Sequence, residues 1–420
     1  MALLAAGAAA SARADCQPGV YGTGPAEFVV LGARAPAPAS GQRYLFLDGR
    51  RGASGATGSP VACQDGRVVF TPGAGEPRIW PRLETPETDA TFESDATRLA
   101  GRLIEPPGPP DPRRPLVVLV HGSEKTAAIG SVYAYMLAAQ GVSVFVYDKR
   151  GTGASEGDYT QNFELLADDA AAALVQARRM AAGRFRRAGF FGGSQGGWVA
   201  PLAATRSPAD FVTVGFGLVV SPIEEDREQL LDEARRMGLG PAAMQQVEDL
   251  SRATAALVRS HFARGYEGLA AVRREIADAP WKASIEGEYS GDMLRMSDAD
   301  LRRIGRARFD NLELIWDYDA EAALQKLKAP LLWVLAGEDR EAPIAATRAL
   351  LLKLMAAHKP IDVYLFPDTD HGMVEFRTNP DGTRTATRIT DGYLKLIADW
   401  MKRDVHGPYG RGAVVRPGPG

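Results

Sequence analysis

The chain has 420 residues, of which 45% are hydrophobic and 24% are charged, and this is the composition of an ordinary globular protein with a sizeable buried core. Its net charge is −3, and its 49 basic residues are spread along the chain rather than clustered. This distribution argues against a nucleic-acid groove or a surface for anionic membranes. The sequence therefore favours a small molecule as the partner, and no nucleic acid.

An apolar run covers residues 2–12, and it is too short to span a bilayer but has the length of a signal-peptide core. An Ala-Arg-Ala triplet at 12–14 follows the small-x-small pattern of a cleavage site, so we expect residues 1–14 to be a signal peptide removed before Asp15. No Lys or Arg precedes the run, which a misassigned start codon would explain. The alternative is a merely Ala-rich, disordered N-terminus. The prediction is an exported protein, periplasmic or secreted, without a membrane span.

The two cysteines, Cys16 and Cys63, both lie in the N-terminal region. An even count in an exported chain favours a disulfide between them, while the alternative is two unrelated thiols. A bond would close a loop of 47 residues. Loop-closure entropy assigns such a bond roughly 3 to 4 kcal/mol of stability.

Residues 15–87 are rich in Gly, Pro, Ala and Ser, and they are interrupted by short runs with β character. These runs are Glu27–Leu31, Arg43–Leu47 and Arg67–Thr71. The pattern predicts a small β-rich N-terminal domain.

From Thr88 onward, nearly continuous apolar β runs alternate with Ala- and Leu-rich helical stretches, as a parallel sheet covered on both faces requires. The predicted strands are Leu116–Val120, Val142–Tyr147, Ala188–Phe191, Val212–Val220, Leu331–Leu335 and Val363–Phe366. We expect an α/β core made of residues 88–221 and 324–404.

Charged helices replace this alternation between the two parts of the core. The stretches Glu224–Met237 and Asp298–Tyr318 are examples, and residues 222–323 are predicted to form an inserted helical cap. The Gly- and Pro-rich residues 405–420 are predicted to be a disordered tail.

The chemistry concentrates in the run Gly-Gly-Ser-Gln-Gly-Gly at 192–197, between a predicted strand and a predicted helix. A serine on so tight a strand-to-helix turn adopts strained backbone angles, and Gly192 and Gly196 have no side chains to obstruct it. Ser194 is therefore the candidate nucleophile. The turn also places the backbone N–H of Gln195 at a helix N-terminus, where it can face a developing oxyanion.

A serine hydroxyl needs a general base, and only five histidines are available. Four of them occupy a strand end, a cap helix, a Lys-Pro turn and the tail: His121, His261, His358 and His406. His371 follows the last predicted strand of the core, so we predict that it is the base.

A carboxylate between the serine and the histidine in chain order should orient the imidazole. Asp339 follows a predicted strand and is the candidate. Glu338 is the local competitor, and Glu224 or Asp226 is the remote one. Asp370, adjacent to the histidine, would have to bend back on itself.

A second oxyanion donor is expected in the loop after the first predicted core strand, where the backbone N–H of Ser123 is the candidate. His121, at the start of that loop, is interpreted as structural. Asp148 is interpreted as a buried carboxylate that fastens a turn by pairing with Arg150.

These motifs resemble the α/β-hydrolase superfamily over residues 88–404. They are His121-Gly122, the turn Asp148–Ser155, the run Gly192–Gly197, Gly337–Asp339 and Asp370-His371-Gly372, in that order. The run Asp317–Pro343 is similar to bacterial secreted esterases and to the serine aminopeptidase-like branch. The resemblance implies the α/β-hydrolase fold and acyl transfer to water through an acyl-serine.

The chain departs from many relatives at the acid, where one residue rather than two separates Gly337 from Asp339. That assignment therefore rests partly on its spacing to Pro343. No H-E-x-x-H motif and no cysteine cluster occurs, and the glycine-rich stretch Arg150–Gly157 lacks the lysine-hydroxyl ending of a phosphate loop. We expect neither a metal nor a cofactor.

The predicted substrates are small carboxylic esters or thioesters, since a helical lid narrows access to the serine. The alternative is an aminopeptidase or another amide hydrolase, in which Glu286 or Glu288 would hold a substrate ammonium. A hypothesis of another class is that the N-terminal domain binds a cell-envelope polymer and the protein is not catalytic.

Overall fold

The structure, a computed structural model, describes residues 15–34 and 41–418, so the predicted signal peptide at 1–14 lies outside the described residues. Within these described ranges, the N-terminal part contains seven strands. They are β1 (Gly19–Gly24), β2 (Glu27–Arg34), β3 (Gln42–Phe46), β4 (Arg51–Ala53), β5 (Val61–Gln64), β6 (Arg67–Phe70) and β7 (Arg78–Trp80). They form two antiparallel sheets, in the orders β1-β2-β3-β4 and β5-β6-β7. The predicted small β-rich region is thus confirmed.

An aromatic cluster and a disulfide hold these two sheets together. The ring centroids of Phe46 and Phe70 are 5.1 Å apart, and those of Phe70 and Trp80 are 4.7 Å apart. Cys16, before β1, is bonded to Cys63 on β5 with a Cα–Cα distance of 5.7 Å, which confirms the predicted pairing. The bond therefore ties the first sheet to the second.

We expect the Cys16→Ala/Cys63→Ala double variant to be less stable by roughly 3 to 4 kcal/mol, because the unfolded chain regains the freedom of a 47-residue loop. Urea unfolding followed by tryptophan fluorescence measures the difference. Wild-type protein unfolded with and without a reducing agent is the control. Equal unfolding midpoints for all these samples would contradict the expectation.

A mixed sheet of nine strands forms the centre of the molecule. Eight of them are β8 (Glu87–Ser94), β9 (Thr97–Ile104), β10 (Pro115–Val120), β11 (Ser143–Tyr147), β12 (Arg187–Gly193), β13 (Phe211–Gly215), β14 (Leu331–Ala336) and β15 (Ile361–Phe366). The strands from β10 to β15 are parallel, in the order β15-β14-β13-β12-β10-β11, and the antiparallel pair β9-β8 extends this sheet. The predicted α/β-hydrolase fold class is confirmed.

All six predicted core strands occur, with shifted ends. The strand predicted over Val212–Val220 stops at Gly215, because Phe216 takes a left-handed backbone with φ 44° and turns the chain out of the sheet. The β8-β9 pair was not predicted. Most of β8 faces solvent, and only Phe92 and Ser94 are buried in it, so it lacks an apolar run.

Helices and the N-terminal strands cover the two faces of the sheet. The first three helices are α1 (Val132–Ala139), α2 (Phe163–Met180) and α3 (Gly196–Arg206). α2 and α3 pack on one face, in a core that includes Val118 and Phe190. α1 packs on the opposite face beside Val117, and Val30 and Leu45 of the N-terminal region join the same core. The N-terminal region is therefore packed onto the sheet.

A helical insertion with its own apolar core separates β13 from β14. Its helices are α4 (Pro222–Arg236), α5 (Pro241–Arg259), α6 (Tyr266–Glu275), α7 (Ser290–Arg295) and α8 (Asp298–Phe309). The helix predicted to reach Tyr318 ends at Phe309, because Asp310 leaves the helical conformation and accepts a 2.9 Å hydrogen bond from the indole of Trp316. In the described part of the chain, no helix combines the length and apolarity needed to cross a bilayer.

The chain then completes the core. The remaining helices are α9 (Ala320–Lys326), α10 (Ile344–Ala356) and α11 (Tyr393–Lys402), and a small antiparallel sheet consists of β16 (Thr369–Asp370), β17 (Val374–Thr378) and β18 (Arg384–Ile389). His371 lies between the first and second strands of this small sheet.

Over the described residues 405–418, the prediction of a disordered tail is wrong. A short strand, β19 (Ala413–Val415), pairs with β15 and forms the ninth strand of the large sheet. Tyr409 is buried, and its hydroxyl donates a 3.1 Å hydrogen bond to Asp399. The Gly and Pro content of the segment concealed this aromatic anchor and the buried Val415.

Candidate active site

The turn between β12 and α3 carries Ser194 in a left-handed conformation, with φ 51°. A Cβ on Gly192 would lie 2.2 Å from the carbonyl oxygen of Gly196, and a Cβ on Gly196 would lie 2.4 Å from that of Val120. Any side chain at either glycine would therefore force the turn apart. The Ser194 N–H donates to the Gly215 carbonyl at 3.2 Å, which fixes the turn against β13. The geometry is that of a nucleophile elbow.

Three of the predicted site residues meet above this turn. The Nε2 atom of His371 lies 3.1 Å from the Ser194 hydroxyl oxygen, and its Nδ1 lies 2.9 Å from Oδ2 of Asp339. The other oxygen of Asp339 accepts the N–H groups of Glu341 at 3.1 Å and Ala342 at 2.7 Å. The carboxylate is thus buried, hydrogen-bonded and held in one orientation.

The competing carboxylates serve other contacts. Glu338 pairs with Arg384, and Asp226 accepts the N–H groups of Tyr289 and Ser290 at 3.0 and 3.1 Å inside the cap. Asp370 accepts the backbone N–H of His371. Among the described residues, the carboxylates within 4 Å of the His371 ring nitrogens belong to Asp339 and Glu341.

Burial by itself would lower the pKa of His371, but the hydrogen bond to Asp339 and the charges of Asp339, Glu341 and Asp370 outweigh it and raise the pKa above its usual range. Glu341, whose Oε1 lies 3.5 Å from Nε2 of His371, was not predicted from the sequence. The imidazolium is therefore favoured by several carboxylates at once.

We expect Glu341→Gln to move the acid limb of the kcat/KM profile to lower pH. Removing this negative charge destabilises the imidazolium, so the His371 ring stays neutral further into acid. Initial rates on a neutral ester between pH 4 and 9 measure the limb.

Glu338→Gln is the matched control, since Glu338 pairs with Arg384 rather than with His371. An acid limb that stays in place in Glu341→Gln, or rises, would be the contrary result.

Two side chains hold the loop after β10. The Lys149 ammonium donates a 2.6 Å hydrogen bond to the Gly122 carbonyl, and the Tyr159 hydroxyl donates to the Ser123 carbonyl. Because a trans peptide is planar, fixing the Gly122 carbonyl on Lys149 turns the Ser123 N–H in the opposite direction. Burial lowers the pKa of Lys149 to about 8. Ser123 and Gln195 line one cavity together with Ser194.

His121 lies at the start of this loop, and Asp148 forms hydrogen bonds with it. Burial and the charge of Lys149 lower the pKa of His121 to about 3, so the ring stays neutral. Asp148 accepts the N–H groups of Ala128 at 2.7 Å and Ile129 at 3.0 Å, as a fastening residue would.

The predicted partner of Asp148 is wrong. Arg150 instead pairs with the buried Asp169 on α2, at 2.8 and 2.6 Å. Backbone N–H groups satisfy the Asp148 carboxylate, which leaves it no need for a guanidinium.

Ser194 opens into two clefts. One of about 260 Å³ lies towards the N-terminal region and is lined partly by Phe191, Tyr133 and Phe216. The other, of about 250 Å³, lies under the cap and is lined partly by Trp198 and Trp316. A substrate with its carbonyl at the serine can therefore extend in two directions.

The cleft under the cap is lined by three acidic residues and by Arg308, which pairs with Asp292 at 2.6 Å. Glu225, Glu288 and Glu341 line it, and among the described residues no hydrogen-bond donor or cation pairs with the side chain of Glu225. Burial, followed by the charges of Glu288 and Glu341, raises the pKa of Glu225 well above its usual range. A cleft with these three acidic side chains favours the binding of a cationic group.

In the part of the chain that the structure describes, no group of His, Cys, Asp and Glu side chains has the arrangement needed to hold a metal ion.

Of the two sequence candidates for holding an ammonium, only one lies in this cleft. Glu288 lines it and accepts a 2.7 Å hydrogen bond from Gln229, whereas Glu286 pairs with Arg295. Glu225 and Glu341 were missed, because each reads in the sequence as one more acidic residue on a solvated surface.

The sheet order, the elbow after β12 and the helical insertion after β13 define the α/β-hydrolase fold. The chain has the α/β-hydrolase fold, and residues 111–239, less than a third of its length, match the family model described as serine aminopeptidase, S33. No curated protein sequence matches significantly.

Solved structures with a similar fold share little sequence with this chain. An esterase from Pyrococcus furiosus is 14% identical, with 69% of this chain and 85% of the esterase covered and a TM-score of 0.40. A proline iminopeptidase from Mycobacterium smegmatis is 17% identical, with coverages of 76% and 98% and a TM-score of 0.43. An α/β hydrolase from a Penicillium species is 16% identical, with coverages of 68% and 91% and a TM-score of 0.42. Similarity at this level says nothing about substrate.

Proposed function

We propose that the protein is a serine hydrolase in which Ser194, His371 and Asp339 form a catalytic triad. The observation that carries this proposal is the hydrogen-bonded chain from the serine hydroxyl through the imidazole to the buried carboxylate, with links of 3.1 and 2.9 Å. His371 takes the proton as Ser194 attacks the substrate carbonyl, and it returns the proton to the leaving group. Asp339 keeps Nδ1 protonated and stabilises the imidazolium. Water then hydrolyses the acyl-serine.

The oxyanion of the tetrahedral intermediate is assigned to the N–H groups of Gln195 and Ser123. Gln195 follows the nucleophile at the start of α3, where the helix dipole favours negative charge. Lys149 and Tyr159 hold the loop of Ser123 by its carbonyls. Each donor is expected to lower the barrier by roughly 3 to 4 kcal/mol.

The substrates we propose are small carboxylic esters or thioesters. Two clefts of about 260 and 250 Å³ beside the serine support small groups on either side of the scissile bond. The helical insertion supplies Trp316 and Phe309 to the second cleft, which gives that side an apolar lining.

A second candidate, an aminopeptidase, is favoured by the acidic cleft. Glu225 lies beside Glu288 and Glu341, and no cation pairs with it among the described residues, so an ammonium bound there would stabilise its carboxylate form, which burial and the neighbouring charges disfavour. In that case the ammonium of an N-terminal residue would bind under the cap, with its carbonyl at Ser194.

Four substrates separate the two candidates: alanine p-nitroanilide, alanine p-nitrophenyl ester, and the N-acetylated form of each. An esterase cleaves the esters far faster than the anilides and tolerates acetylation. An aminopeptidase cleaves the free-amine anilide but not its acetylated form. In that case Glu225→Gln reduces the cleavage of the free-amine substrates only. Turnover of none of the four by protein that also takes no fluorophosphonate would contradict the serine hydrolase itself.

We also propose that the protein is exported. The disulfide between Cys16 and Cys63 supports this, because such bonds persist in oxidising compartments. Fractionation of cells that express the full chain tests it, and protein retained in the cytoplasm with both thiols reduced would contradict it.

A further inference from the structure

The N-terminal region is packed against the residues that surround Ser194. The N–H of Ala33 at the end of β2 donates a 2.8 Å hydrogen bond to the carbonyl of Gly130, just before α1. A Cβ on Gly32 would lie 2.7 Å from the Val132 side chain, so the glycine lets β2 approach this closely. The position of β2 relative to the loop after β10 is therefore fixed by direct contact.

This contact gives the first cleft a wall from each part of the protein. Ala33 and Arg43 form the wall on the N-terminal side, while Gly122 and Ser194 belong to the hydrolase core. Without the N-terminal strands, the cleft would be open on that side. The region is thus positioned to contact whatever substrate group extends from Ser194 into the cleft.

Arg43 is the unpaired cation of this cleft. Within the described ranges, no carboxylate lies within 4 Å of its guanidinium, and no acceptor is hydrogen-bonded to it. Two other arginines of the same region are paired, Arg34 with Asp15 at 3.2 Å and Arg50 with Asp48 at 2.8 Å. A free guanidinium at the edge of a small cleft has its fork of donors available for a ligand.

Among the described residues that line the cleft, one is acidic, Glu124. A Cβ on Gly122 would lie 2.8 Å from its carboxylate, so Glu124 folds back over the loop. There its charge acts on the Lys149 ammonium and raises the pKa that burial lowers. Glu124 thus interacts with Lys149, whereas among the described residues no carboxylate lies within 4 Å of the Arg43 guanidinium.

We propose that the N-terminal region completes the substrate site and that Arg43 binds a carboxylate at the distal end of the substrate group in this cleft. The inference rests on the proposed hydrolase function, since the bound group is anchored by its carbonyl at Ser194. The substrate class is an ester or amide that carries a free carboxylate a few bonds from the scissile carbonyl. Arg43 recognises that carboxylate through charge-assisted hydrogen bonds.

Two matched pairs of esters test the site from both sides of the scissile bond. One pair is mono-p-nitrophenyl adipate and its methyl ester, with the carboxylate on the acyl group. The other is 4-acetoxybenzoate and its methyl ester, with the carboxylate on the leaving group. We expect the wild type to favour the free carboxylate in one pair, and Arg43→Ala to reduce that kcat/KM by about tenfold while leaving the methyl esters unchanged.

Arg34→Ala is the matched control, because Arg34 pairs with Asp15 and does not line the cleft. We expect Arg34→Ala to behave as wild type and Arg43→Lys to retain part of the preference. Equal kcat/KM for both members of each pair, unaffected by Arg43→Ala, would overturn the carboxylate site and leave the hydrolase in place. Failure of the wild type to hydrolyse any of the four esters, with no fluorophosphonate labelling, would overturn both.

Discussion

Ser194→Ala is expected to lose fluorophosphonate labelling completely and to lower kcat by about 10⁶-fold on any substrate that the wild type hydrolyses. The alanine cannot form the acyl intermediate, while the backbone N–H groups of Gln195 and Ser123 remain. A residual rate above that of buffer is therefore expected from the oxyanion donors alone. Mass spectrometry after fluorophosphonate treatment measures the loss of labelling, and steady-state turnover rates measure the loss of kcat.

The control for this variant is a test that it folds as the wild type does. Ser194 has φ 51°, which alanine also adopts only with strain, so an unchanged melting temperature would show that the turn persists. Labelling that survives the substitution would mean that another residue is the nucleophile.

Asp339→Asn is expected to lower kcat by about 10⁴-fold with a small change in KM. The amide can donate to Nδ1 of His371 and so stabilise the tautomer with its proton on Nε2, which cannot accept the serine proton. It also removes the charge that raises the pKa of His371, so the remaining activity should reach lower pH. Rates on an activated ester across pH 4 to 9 report both effects.

Glu338→Gln is the matched comparison for this variant, because it is adjacent in the chain and its side chain pairs with Arg384 outside the site. Comparable losses in the two variants would argue that the effect is structural. A loss confined to Glu338→Gln would assign the acid to the other carboxylate.

The sequence predicted the elbow well because its determinants are local. Gly192 and Gly196 flank the serine within the same turn, and an apolar strand and a helix adjoin it. His371 and Asp339 are far from the serine in the chain, but parallel strands end at one edge of the sheet, so residues after β14 and β15 come together there. The expected strand order thus allowed the proximity of these three residues to be predicted from short motifs.

Other contacts could not be predicted from the sequence, because they join elements that no common motif links. Arg150 turned out to bind Asp169 on α2, and nothing near Asp148 indicates that backbone N–H groups satisfy it instead. The acidic cleft depends on where the cap lies over the sheet, and the helix that carries Glu225 has acidic residues on several sides. The position of Arg43 in the wall of the first cleft likewise depends on how the N-terminal sheet packs onto the hydrolase core.

The last strand of the protein also affects how the molecule meets its neighbours. β19 occupies the hydrogen-bonding edge of β15, a strand of the central sheet. A chain shortened before Ala413 would present the backbone N–H and carbonyl groups of β15 to solvent, and an open edge of this kind pairs readily with a strand of another molecule. Three residues near the C-terminus thus help to keep the sheet from becoming a template for aggregation.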